Sequence, residues 1–189
     1  MESGLNNNDV VASVAMTLDG YIARPDGAVD YLEKYPLTDF DFDAWVERVG
    51  ALVMGRTTYE QSLEWGWVWG DRPTMVLTGQ NNLHVPHGAN ITFRAAPTAD
   101  AVQEFSLVTP KRLWVFGGGN VITAALLGGA VDVLDIMVVP EALGAGIPLF
   151  TNAFTGPMQL SESVPYPNGA IRLVYQIGNN TVTEDEASR

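Results

Sequence analysis

Two glycine-bearing turns constrain this chain more than anything else in it. Met54-Gly55-Arg56-Thr57-Thr58-Tyr59-Glu60 closes the apolar run Ala51-Leu52-Val53-Met54, and Phe116-Gly117-Gly118-Gly119-Asn120-Val121 closes Leu113-Trp114-Val115-Phe116. In each, a β-like run passes through glycine into a segment with helical spacing. A strand that leads into a helix needs a crossover before the next strand, and repeated crossovers build a sheet with parallel neighbours. Each turn also leaves unpaired backbone N–H groups at a helix start, where the helix dipole and the lack of side-chain bulk suit a phosphate. Together the two turns suit the two ends of one dinucleotide. They do not make the Rossmann fingerprint, because the glycine spacing differs and no acid follows at the required distance.

The remaining runs fit the same α/β plan. Residues 10–16 read as a buried strand, followed by the Asp19-Gly20 turn, the short apolar run Tyr21-Ile22-Ala23 and a second turn at Arg24-Pro25-Asp26-Gly27. Residues 39–49 carry Phe42, Trp45, Val46 and Val49 at helical spacing, with acids near the start where the dipole favours them. Strands are predicted over 74–78, 90–93 and 133–139, and helices over 57–63, 121–127 and 98–105, the last with Thr98 as N-cap. Near the end, 159–164 and 171–177 flank Pro165-Tyr166-Pro167-Asn168-Gly169, and Asn-Gly is the pair a tight hairpin demands. Residues 1–8 and 179–189 are polar and aperiodic and are expected to be mobile, which leaves 9–178 as one domain. A chain of 189 residues with 47% hydrophobic content has enough apolar surface for one core.

Charge narrows the partners. Lys and Arg number 10 against 22 Asp and Glu, a net charge of -12, so the field repels nucleic acid and anionic membranes. An anionic cofactor then needs a local cation, and Arg56 at the head of the first turn is placed to be one; its other reading is an ion pair with Glu60 one helical turn on. The absence of cysteine excludes disulfides and thiolate chemistry. Residues 113–131 carry no charge, yet their five glycines with Asn120 and Thr123 argue for strand, turn and helix rather than a membrane span. The N-terminus lacks a signal-peptide pattern, so a cytoplasmic location is the expectation. His84-Val85-Pro86-His87 has no further ligands at recognisable spacing, and no metal site is predicted. Trp65, Trp67 and Trp69 read either as an aromatic wall for a flat heterocycle or as a hydrophobic plug or dimer contact. Asp19 reads either as a site carboxylate or as the turn former of Asp-Gly.

Six segments in this order resemble the dihydrofolate reductase-like family, and within it the reductases related to the C-terminal domain of the bifunctional riboflavin deaminase-reductase. They are Met16-Thr17-Leu18-Asp19-Gly20-Tyr21-Ile22-Ala23, Pro25-Asp26-Gly27 with Val29-Asp30-Tyr31-Leu32, Leu52 to Glu60, Val76-Leu77-Thr78, Val115 to Asn120, and Pro140 with Leu143-Gly144-Ala145-Gly146-Ile147-Pro148-Leu149-Phe150. The resemblance covers about residues 10–150. It implies a single-domain α/β fold whose mixed, mostly parallel central sheet is flanked by helices and ends in an antiparallel hairpin. It implies NADPH as hydride donor, with Gly55, Arg56, Thr57 and Thr58 at the 2′-phosphate and pyrophosphate and Thr78, Gly79 and Gln80 at the adenosine end. Gly117, Gly118, Gly119, Asn120 and Val121 would take the other side of the pyrophosphate, while Ala15, Ile22 and Ala23 would line the nicotinamide. Ser13, Tyr21, Phe42 and Trp45 fall where this family binds substrate.

The activity so implied is reduction of a C=N or C=O in a small heterocycle, riboflavin-precursor-like or pterin-like, with Asp19 and Asp43 as candidate proton-delivering carboxylates. Two departures stand beside it. Folate reductases place an acid three residues before a Trp on the first helix, and here that place relative to Trp45 holds Phe42. Riboflavin-pathway reductases carry Asp-Asp-Pro after the Gly-x-x-Thr turn, and this chain has Glu60-Gln61-Ser62-Leu63. A non-catalytic NADPH-binding or regulatory protein is therefore the alternative, and a flavin-binding protein a third. The resemblance also implies a homodimer.

Overall fold

The computed structural model describes residues 5–151 and 154–178. The chain begins with β1 (Val10–Thr17) and β2 (Tyr21–Ala23), then α1 (Phe42–Glu47), β3 (Val49–Gly55), α2 (Arg56–Glu64), β4 (Thr74–Leu77) and β5 (Ile91–Arg94). It continues through α3 (Thr98–Ser106), β6 (Arg112–Gly117), α4 (Gly119–Leu127), β7 (Val133–Val139), β8 (Ile147–Pro148), β9 (Met158–Pro165) and β10 (Ile171–Ile177). Eight strands form one sheet in the order β5-β4-β3-β6-β1-β7-β10-β9, and β2 pairs with β8 beside it. From β5 to β7 all neighbours are parallel, while β10 runs antiparallel to β7 and β9 to β10.

Strand alternation divides the core between two faces of the sheet. Val10 and Ala12, Ala51 and Val53, and Leu113 and Val115 face α3 and α4, where Val102, Ile122 and Leu126 cover them. Val11, Leu52, Met54 and Trp114 face the other way, under Trp45 of α1 and Tyr59 of α2. Leu52, Met54, Leu113, Ile122 and Tyr59 are fully buried, each contributing roughly 1.5–3 kcal/mol by leaving water.

Several element ends shift by one or two residues from the expected bounds, and two differences have a clear local cause. The helix expected over 39–49 is cut to six residues, Phe42–Glu47, because Asp41 adopts a left-handed conformation (φ 51) that ends a short 3-10 turn at Leu37–Phe40. Aspartate is among the few residues that tolerate that region. Val49, read as helical, pairs with Arg112 and starts β3. The cap of α3 is Pro97 rather than Thr98, which becomes the first helical residue. The hairpin closes as expected: Tyr166 N–H donates to Ala170 O at 2.8 Å, and Gly169 takes φ 87. Of the ends expected to be mobile, residues 1–4 and 179–189 lie outside the described residues. Leu5 and Asn6 present their carbonyls to the buried Arg112 guanidinium, at 3.4 and 3.0 Å. Among the described residues, no helix is long and apolar enough to cross a membrane.

Helices α3 and α4 approach so closely at Gly128 that a Cβ built there overlaps the Cβ of Ala99. Gly128→Ala is expected to cost about 1–3 kcal/mol of unfolding free energy in a urea titration. Adding Ala99→Gly should return part of that loss, so the double variant should lose less than the sum of the single ones.

Candidate functional site

The two glycine turns end neighbouring parallel strands, since Met54 of β3 is the register partner of Gly117 of β6. From β3 the chain crosses through α2 to β4 on one side; from β6 it crosses through α4, past β1, to β7 on the other. Crossovers of one hand that leave in opposite directions place their helices on opposite faces, which opens a crevice at the C-terminal ends of β3 and β6. The turns touch across it. A Cβ on Gly55 would stand 3.2 Å from Val121 Cγ2, and one on Gly118 would stand 3.5 Å from Thr58 Oγ1.

Local sequence explains why each turn stays open. Gly55 caps α2 with extended backbone and no capping side chain, so the first-turn N–H groups of Arg56, Thr57 and Thr58 are left for an outside acceptor. Gly118 caps α4 in the same manner, leaving the N–H groups of Gly119 and Asn120. Gly117 has φ 126, which favours glycine, and the Gly117-Gly118 peptide is cis. Gly119 is confined from behind: a Cβ there would meet Pro148 O at 2.7 Å and Leu149 O at 3.0 Å.

Beside the crevice lies a cleft of about 400 Å³, lined by Leu77, Thr78, Gly79, Arg94, Ala95, Ala96, Thr98, Asn120 and Val121. It joins residues assigned above to the adenosine end, Thr78 and Gly79, with Asn120 and Val121 of the second turn. Gln80 is exposed at its edge, its N–H donating to Thr78 Oγ1 at 3.1 Å. Arg94 was not among the residues singled out, because a lone arginine at the end of a short strand carries no pattern; only the parallel pairing of β5 on β4 brings it here. Arg56, half-exposed, donates from Nε to Glu60 Oε1 at 2.9 Å, the ion pair its sequence position also allowed.

At the other end, Ser13 to Met16 are half-buried although β1 is a central strand, while Thr17 at its end is buried. Tyr21 and Ile22 are half-buried and Ala23 buried on β2. Asp19 joins this strand pair to the segment after β7. The Thr17 hydroxyl donates to its Oδ1 at 2.6 Å, and the N–H groups of Leu143 and Gly144 donate to its carboxylate at 3.2 and 2.8 Å. The Thr17 hydrogen bond above all, then that of Gly144, holds the Asp19 carboxyl below its ordinary value. Such a group stays ionised where a proton donor has to be protonated. Its geometry is that of a loop anchor.

On α1, Phe42 and Trp45 turn to the sheet and stack with rings 8° apart, while Asp43 is exposed in the first turn. The buried Trp45 indole N–H has no hydrogen-bond partner among the described residues. Trp69 is buried against Trp114 and Phe116, with 5.3 Å between centroids in each pair, and Trp67 meets Tyr59 edge-on. The inner half of the Trp loop is therefore a plug, and Trp65 stays exposed. The Tyr59 hydroxyl donates to His84 O, and no metal-ligating cluster occurs among the described residues. Sequence reasoning also missed Gln61, whose amide donates to Gly27 O at 2.9 Å and so ties the segment after β2 to α2.

No protein-family model matches the chain. The uncharacterised Bacillus subtilis protein YwjB is 31% identical over 147 residues, which span 74% of this chain and 81% of YwjB. A provisionally named riboflavin biosynthesis protein of Shewanella sp. PV-4 has a solved structure that is 27% identical, with a TM-score of 0.75 over 90% of this chain and 99% of its own. Dihydrofolate reductase of Enterococcus faecalis, solved with NADP(H) and RAB-propyl, shares the fold at a TM-score of 0.66 and 18% identity, over 90% of this chain and 96% of its own.

Asp19 supplies a direct check on the loop. Because its folded pKa is depressed, the stabilisation it provides is present above the unfolded carboxyl pKa and is lost as pH falls through the lower folded value. The Leu143 and Gly144 amides should thus keep slow hydrogen exchange through mildly acidic pH. In Asp19→Asn both should exchange faster at neutral pH, while the amides of β1 stay protected.

Proposed function

We propose that this chain, a member of the dihydrofolate reductase-like family, is an NADPH-dependent reductase of a C=N or C=O bond in a small heterocycle. The observation that carries this reading is the meeting of the two capped-by-glycine turns at the C-terminal ends of β3 and β6. Two sets of N–H groups lie within the span of one pyrophosphate crevice, and the cleft of Thr78, Gly79, Asn120 and Val121 extends it on the adenosine side. The residues fit an anionic dinucleotide: Arg56 and Arg94 are cations at the crevice in a chain of net charge -12, and the glycines keep the cradle clear of side chains. NADPH bound there would supply the hydride.

The chain's own residues do the rest. Gly55 to Thr58 hold the 2′-phosphate and one side of the pyrophosphate, Gly117 to Val121 hold its other side, and Arg56 exchanges Glu60 for an oxygen of the 2′-phosphate. Ala15, Ile22 and Ala23 set the plane of the nicotinamide. Ser13, Tyr21, Phe42 and Trp45 receive the acceptor molecule. Asp19 fixes the segment 141–144 on which that end of the site rests and acts by position. Asp43, with water, is left as the source of the proton. Rate enhancement then comes mainly from orientation of donor against acceptor.

The second reading, an NADPH-binding protein without turnover, is favoured by one observation: Phe42 stands at the place of the folate reductase acid and stacks on Trp45. NADPH oxidation across pterins, flavin precursors and imines separates the two readings, because binding with no turnover supports the sensor. A homodimer completes the proposal, with the exposed Trp65 and Val68 as contact; a monomer by sedimentation would remove it.

Calorimetric titration tests the cofactor. Arg56→Ala is expected to weaken NADPH by about tenfold and to leave NADH nearly unchanged, since a half-exposed guanidinium–phosphate contact is lost. Equal loss for both nucleotides would contradict the role given to Arg56.

A further inference from the structure

The cleft beside the crevice has its own cation, and that cation has a competitor. Arg94 ends β5 and lines the cleft together with Thr78 and Gly79, the residues placed at the adenosine end. Its Nη2 lies 2.6 Å from Oε2 of Glu104, which reaches over from α3. Glu104 is well exposed and Arg94 about one-third exposed, so the pair formed by this cleft-lining arginine is open to solvent and either partner is free to exchange with solvent ions. Arg94 and Glu104 are ten residues apart and belong to different elements, so the pair is a tertiary contact rather than a byproduct of helical spacing. Asp100, in the first turn of α3, adds a weaker attraction on the same guanidinium.

We infer that Glu104 competes with the adenosine 2′-phosphate for Arg94 and thereby sets how strongly this chain prefers NADPH to NADH. The inference rests on the dinucleotide reading above and names a determinant within it. With no phosphate in the cleft, the carboxylate holds the guanidinium. A phosphate entering beside Thr78 and Gly79 offers more charge and more acceptor oxygens than one carboxylate, and it takes the arginine over. The ion pair must break or rearrange in that exchange, so its strength is subtracted from the affinity for the phosphorylated nucleotide. A nucleotide without the 2′-phosphate leaves the pair alone. Glu104 is thus a specificity-determining residue that touches no ligand and acts through Arg94. The second crevice arginine repeats the device on a shorter scale, with Glu60 one helical turn from Arg56.

The test is titration of NADPH, NADH and adenosine 2′,5′-bisphosphate into the wild-type chain, Glu104→Gln, Arg94→Ala and the double variant. Glu104→Gln should bind NADPH and the bisphosphate about two- to fivefold more tightly, with NADH unchanged, as expected for release of an exposed ion pair. Arg94→Ala should weaken NADPH but not NADH, and in that background Glu104→Gln should have no effect. Unchanged NADH affinity in all variants reports that the fold and the crevice are intact. If NADPH binds but Glu104→Gln leaves its affinity unchanged or weaker, or if the gain persists without Arg94, the inference is overturned while the cofactor reading stands. If the wild-type chain binds none of the three ligands, the cofactor reading fails and takes this inference with it.

Discussion

Everything proposed for this protein depends on the parallel pairing of β3 with β6. That pairing sets two strand-to-helix turns side by side, and the opposite directions of the two crossovers separate α2 from α4 on the two faces of the sheet. Had β4 or β1 lain between them, the turns would be a strand further apart and no single pyrophosphate would bridge them. The pairing is held from both sides: Ala51 and Val53 pack under α3 and α4, Leu52 and Met54 under Trp45 and Tyr59. The crevice is thus a consequence of the core, and glycine at 55, 117 and 118 keeps side chains out of it.

Much of this was legible in the chain itself. β7 and β10 have the predicted bounds, and the strand-turn-helix units at Gly55 and Gly117 fall where apolar runs meet glycine. The first helix was overestimated because Phe42, Trp45, Val46 and Val49 keep helical spacing although Asp41 breaks the backbone and Val49 belongs to a strand. Periodicity could not separate those cases, since a buried helix end and a buried strand start are equally apolar. Arg94 and Gln61 were invisible for another reason. Both act through contacts across the fold, one by the neighbour its strand acquires and the other by a hydrogen bond to a backbone carbonyl that any residue could supply.

An anionic dinucleotide, as proposed, has to be held by so acidic a chain through local attraction. With 22 acids against 10 bases the long-range field opposes the dinucleotide, so attraction has to be local and short in range. Backbone N–H groups at two helix starts supply partial charge without adding a titratable side chain. Arg56 and Arg94 are each paired with a glutamate, Glu60 and Glu104, and in the proposed complex a phosphate takes that partner's place. Asp19 spends its charge differently, binding two backbone N–H groups and one hydroxyl so that the segment 141–144 stays against β1 and β2.

Whether the two turns form one site can be read from an NMR titration of the amide-labelled protein with NADPH. The amides of Thr57 and Thr58 on one turn and of Gly119 and Asn120 on the other should shift together and follow a single dissociation constant. Shifts confined to one turn, or different constants for the two, would contradict a shared pyrophosphate site.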